Sequence, residues 1–105
     1  MLETIERIRR HTRGFTAQRF AADEKTQDAV ERCLARLSEA ARKLGDALDA
    51  KYPEVEFHKL RQLGSVLRHD YDEFDPIMIW RTIAQRLDRL EAACRKELKS
   101  TAPPA

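Results

Sequence analysis

Apolar residues recur every three or four positions along almost the whole chain, and no other feature constrains the fold as much. Val30, Cys33, Leu34, Leu37, Ala40, Ala41, Leu44 and Leu48 form one such series. Ile77, Trp80, Ile83, Leu87, Leu90, Cys94 and Leu98 form another. Residues so spaced share one side of an α-helix, so each series reads as an amphipathic helix with one face to bury. Only 3 glycines and 4 prolines are spread over 105 residues, too few for the turns of a β-sandwich or barrel. The chain is therefore predicted to be all-α.

Local signals set the boundaries. A first helix runs from about Leu2 to Arg13, with Leu2, Ile5 and Ile8 as its stripe and Gly14 as the residue that takes positive φ after it. Thr16 caps a short turn of helix through Phe20. Asp23 or Thr26 caps a long second helix, which Gly45-Asp46 breaks late, Asp46 restarting a turn, and which Tyr52-Pro53 ends. The third helix starts near Glu56, with Phe57, Leu60, Leu63, Leu67 and Tyr71 along one side. The acidic run Asp70 to Asp75 connects it to the last. Asp75-Pro76 places an acidic N-cap before a proline at the first helical position, and the last helix runs from there to about Lys99. Four main helices plus a short one, joined by short connections, predict an antiparallel up-down bundle. One domain is expected over 1–99, with a disordered tail over 100–105. Val66, Met78 and Ile79 are expected to face outward, as apolar surface that a homodimer would cover.

Charge and spacing narrow the function. Twenty basic and 18 acidic residues leave a net +2, with no global pull toward nucleic acid or membrane. The run Ile77-Met78-Ile79-Trp80 is far too short to span a bilayer. Glu3 and Glu6 near the start, with no apolar block, predict no signal peptide. A cytoplasmic protein is expected, with Cys33 and Cys94 as reduced thiols. His11, His58 and His69 lack paired ligand spacing, and no CxxC or HxxxH occurs, so neither metal nor cofactor is expected. No glycine-rich phosphate loop is present, and Glu39 lacks a second Glu-x-x-His to make a bundle metal site.

The segment Gly64 to Tyr71 carries the chemistry worth weighing. His69 can take a proton from a 2′-hydroxyl near neutral pH, and Arg68 beside it can hold the charge that builds on a phosphate. On a helical wheel Arg61, Ser65, Arg68 and Asp72 share one side, with His69 near it, away from Leu60, Leu63 and Leu67. The acidic Asp70, Asp72, Glu73 and Asp75 oppose RNA phosphate unless arginines offset them. Arg9, Arg10 and Arg13, or Arg81, Arg86 and Arg89, are available, and the same arginines read equally as a solvated face.

Several short pieces, in order, resemble a known family. They are Thr26-Gln27-Asp28-Ala29-Val30 with Arg32, Glu39-Ala40-Ala41, Tyr52-Pro53-Glu54-Val55, Leu67-Arg68-His69-Asp70-Tyr71 and Ile79-Trp80-Arg81 with Ile83. Spread over about Leu2 to Leu98, they resemble the HepT-like branch of the HEPN superfamily. The resemblance implies a homodimeric helical bundle with a groove at the subunit interface. It implies a metal-independent ribonuclease acting as the toxin of a toxin–antitoxin pair, silenced by a small nucleotidyltransferase antitoxin. The family motif is Arg, four residues, His, any residue, Tyr. His69 and Tyr71 match its last two positions, and Gly64 stands at the Arg position.

The resulting expectation assigns catalysis to Arg68 and His69, and makes Tyr71 a groove residue and the site of AMP addition. Ser65, Asp70 and Arg61 support them, and RNA is the substrate. Tyr71 reaches the groove if the helix ends near His69, and joins the core if the helix continues. The alternatives are a catalytically inactive HEPN dimer that binds a nucleotidyltransferase, favoured by Gly64, and a structural helical adaptor.

Overall fold

The computed structural model describes residues 1–69 and 75–101, with Arg68, His69 and Thr101 described by backbone alone. Five α-helices follow in order, and among the described residues there is no strand: α1 Leu2–Thr12, α2 Ala17–Ala21, α3 Glu24–Leu44, α4 Phe57–His69 and α5 Pro76–Thr101. A single 3-10 turn, Pro53–Val55, precedes α4. The bundle of four main helices plus a short one is the predicted architecture.

The caps explain why the elements begin where they do. The Thr16 side chain accepts a hydrogen bond from the Arg19 amide, and the Asp23 side chain accepts one from the Thr26 amide at 3.0 Å. Asp75 Oδ1 accepts from the Ile77 amide, directly before Pro76. Gly14 and Gly45 both take positive φ, at 76° and 65°, where a side chain would be strained. Gly45 ends α3 at Leu44, and residues 45–51 form turns instead of carrying the helix on to Tyr52. α5 continues through Thr101, two residues past Lys99.

Ile5 and Ile8 of α1, Phe20 of α2, Val30, Leu34 and Leu37 of α3, and Ile79, Leu87 and Leu90 of α5 build the core. α4 adds Phe57 and Leu67 from one side, while Leu60 and Leu63 are half-buried. Several expected positions need correction. Ile79 is 0% exposed, where an outward position was expected. Ile77, expected in the stripe, is 52% exposed. The cause is α2: Phe20 packs on Trp80, ring centroids 5.3 Å apart, and this crossing turns the Ile79 side of α5 inward. Leu44 and Leu98, in the last turns of their helices, are exposed. Cys33 is buried and Cys94 half-buried, both free thiols, and burial pushes both thiol pKa values up.

Candidate active-site groove

α4 carries the proposed chemistry, and its other side chains show how the helix is seated. Ser38 of α3, only 1% exposed, reaches the α4 backbone: its Oγ donates to the Arg61 carbonyl at 3.1 Å and accepts from the Gly64 amide at 3.0 Å. Gly64 is buried against α3. The position at which the family motif holds arginine is thus a packing position here, its amide held by Ser38 of α3. Ser65, the next residue, is exposed.

Arg61 is engaged elsewhere. Its guanidinium grips Asp49 in a two-pronged pair, Nη1 to Oδ1 at 3.0 Å and Nη2 to Oδ2 at 2.6 Å, and Nη1 also donates to the Gly45 carbonyl. These bonds lower the Asp49 pKa and raise that of Arg61. Arg61 therefore ties α4 to the turns after α3.

The other face of α4 opens onto a groove of about 260 Å³ against α5. Lys59, Gln62, Leu63 and Val66 line it from α4, and Met78, Thr82 and Arg86 from α5. Val66 is 42% exposed, as expected, whereas Met78 is half-buried against the core. Behind the groove lies an apolar cavity of about 20 Å³, bordered by Leu34, Leu37 and Leu87 and sharing Thr82 and Arg86 with it. On α4, positions 59, 62 and 66 advance at helical spacing along this wall, and 69 is the next in that series. His69 therefore stands at the register position that continues the groove, in the last turn of α4 beside Arg68. Asp70 and Tyr71, and the acidic residues Asp72 and Glu73, lie outside the described residues.

The offsetting arginines divide. Arg9 is bound to Asp88 at 2.7 Å and to Glu91 at 2.8 Å, joining α1 to α5. Arg13 pairs with Glu6 at 3.8 Å. Arg10, Arg81 and Arg89 are exposed, and Arg86 faces Glu56 from the groove wall. Among the described residues no group of three or more His, Cys, Asp or Glu is placed so that it could hold a metal ion. No helix among them is long and apolar enough to cross a membrane.

Sequence reasoning singled out neither Ser38 nor the groove residues Lys59, Gln62 and Thr82. Ser38 had a detectable signal, a small polar residue at helical spacing between Leu34 and Ala41 on the apolar face. The groove residues had none, since their role depends on where α5 lies.

Comparison with known proteins adds an independent line. The model of the family described as ribonuclease HepT-like matches residues 1–97. A protein of Thermococcus cleftensis named as a probable ribonuclease HepT is 29% identical, over 90% of this chain and 86% of its own length. Two proteins of Methanocaldococcus jannaschii that carry provisional RNase names are 26% and 31% identical. The first match covers 94% of this chain and 82% of the relative, the second 83% and 72%. No solved structure matches significantly.

Proposed function

Because the chain belongs to the ribonuclease HepT-like family, we propose that it cleaves RNA, with the strand lying in the groove between α4 and α5. The observation that carries this reading is the register of α4: positions 59, 62 and 66 line the groove, and 69 continues them. His69 takes the proton of the attacking 2′-hydroxyl and returns one to the leaving oxygen. Arg68, with Ser65 in support, stabilises the phosphate as its charge builds; Arg61, bound to Asp49, acts only by seating α4. No metal takes part, a reading motivated by the unpaired histidine spacing of the sequence. The test is purified protein and RNA in excess chelator. Cleavage persists in the wild type and is lost in His69→Ala; loss on chelation, or full activity in the variant, overturns the mechanism.

In this reading the chain is a single HEPN-like domain, and it acts inside the cell as the toxin of a toxin–antitoxin pair. A small nucleotidyltransferase acts as antitoxin by adding AMP to Tyr71. The adduct sets a charged phosphate and a bulky base two residues from His69, and excludes RNA by charge and volume. Incubation with that transferase and ATP places the adduct on Tyr71 by mass spectrometry; an adduct elsewhere defeats the assignment. The active unit is a homodimer, paired through exposed apolar side chains, Val66 of α4 and Ile77 of α5.

A second reading has its own support. Gly64 is buried and held by Ser38, so the motif arginine has no counterpart at its own position. An inactive dimer that only binds a nucleotidyltransferase fits that feature. Wild-type protein that binds the transferase and leaves RNA intact would establish it.

A further inference from the structure

Among the described residues, Arg86 Nη1 is the one buried side-chain nitrogen or oxygen without a hydrogen-bond partner. Leaving a buried donor unpaired costs free energy, so such a group calls for a reason. Its surroundings offer no acceptor in line. Thr82, on the same wall, donates its hydroxyl to the Met78 carbonyl. The carboxylate in reach belongs to Glu56, whose Oε1 stands 3.4 Å from Nη1, close enough for charge attraction but not in hydrogen-bonding geometry. The other Glu56 oxygen is committed to Lys59 Nζ at 2.7 Å. Two cations therefore share one carboxylate, and Lys59 and Arg86 together hold its pKa below the usual carboxylate range. The cluster keeps one net positive charge and unspent guanidinium donors where it borders the groove. Glu56 also has φ of 56°, a left-handed conformation that glycine or asparagine would adopt at lower cost.

We propose that Arg86 and Lys59 form a phosphate subsite for the RNA strand, with Glu56 occupying it in the free protein as an internal stand-in for the phosphate. This rests on the groove's being the RNA site. Guanidinium and ammonium together suit a phosphodiester, whose two non-bridging oxygens can take the places of the two Glu56 oxygens that now face one cation each. Lys59 precedes His69 by ten residues of one helix, about 15 Å at the helical rise, so the phosphate held here is not the one cleaved but one further along the strand. Binding moves Glu56 aside and gives Nη1 the acceptor it lacks.

The experiment uses the full chain and a single-stranded RNA whose 2′-oxygens are all methylated, so that it binds without being cleaved, titrated over a range of salt. Arg86→Gln weakens binding about tenfold and reduces the slope of log K against log salt by about 0.7, the share of one phosphate contact on a single strand. Lys59→Gln acts in the same direction, and because its side chain is exposed it reports even if the Arg86 variant fails to fold. Glu56→Gln tightens binding. Unchanged affinity and slope in both cation variants overturn the proposal. So does a change in monomer–dimer equilibrium with RNA affinity intact, which would assign this end of the groove to a second copy of the chain. If the wild type binds this RNA and cleaves unmodified RNA while the variants bind equally well, the subsite is wrong and the ribonuclease reading stands. If the wild type neither binds nor cleaves, the ribonuclease reading falls and takes the subsite with it.

Discussion

Ser38 shows how one hydroxyl can hold a helix. It is buried on the apolar face of α3 and pairs with two backbone groups of α4, the Arg61 carbonyl and the amide of Gly64, the family's arginine position. Ser38→Ala removes both bonds and leaves a small gap, and is expected to cost about 1–2 kcal/mol, read as a lower urea midpoint. Gly64→Arg restores the motif on paper. It also drives a long charged side chain into the α3–α4 contact, so it is expected to destabilise by on the order of 2 kcal/mol without raising cleavage. A stable, more active Gly64→Arg protein would show that α4 can rotate to present position 64 to the groove. Position 64 also marks where sequence stops being legible. The motif match places His69 and Tyr71 by spacing, but only a neighbouring helix reveals that residue 64 belongs to packing.

At the scale of elements, caps were the most legible features. Thr16, Asp23 and Asp75 bond an amide two or three residues ahead through their side chains, and Gly14 and Gly45 act through their own backbone, so a short window of sequence contains the whole cause. Asp75→Ala is expected to fray the first turn of α5 and cost about 1 kcal/mol. Circular dichroism melting will show it as a drop of roughly 4–8 °C for a domain of this size. The face that α5 buries was less legible. Ile77, Met78, Ile79 and Trp80 are all apolar, so the run fits two orientations about the helix axis. The choice between them is made by α2, a five-residue helix whose sole buried residue is Phe20. So short an element carries little periodicity, and its docking site is a tertiary fact. The same holds for the 3-10 turn at Pro53–Val55, which the Tyr52-Pro53 stop signal marks only as an interruption.

The whole molecule has a charge economy with a testable sign. Asp49, Glu56, Glu91 and Glu97 all titrate below the usual carboxylate range, held chiefly by Arg61, Lys59, Arg9 and Lys51. The unfolded chain binds protons at these sites more readily than the folded one. Their stabilisation is therefore complete above the ordinary carboxylate pKa of about 4 and is lost as pH falls through the lowered folded values. Glu31 opposes them, since burial and then Asp28 raise its pKa. Urea midpoints measured from pH 7 down to pH 3 are expected to fall, and a flat profile would show that these pairs contribute nothing. Assembly is tested at the same scale. Light scattering of the wild type at micromolar concentration should give twice the 12.2 kDa chain mass, and Val66→Lys combined with Ile77→Lys should give the monomer. A wild type that stays at the chain mass would refute the dimer. The pairing of Phe20 with Trp80 also has an optical consequence. Trp80 is the chain's one tryptophan, so ultraviolet emission has a single origin, beside the start of α5. Anything that loosens that joint, whether an adduct on the preceding segment, a bound strand or a second copy, changes the colour and brightness of the light the unlabelled protein gives off.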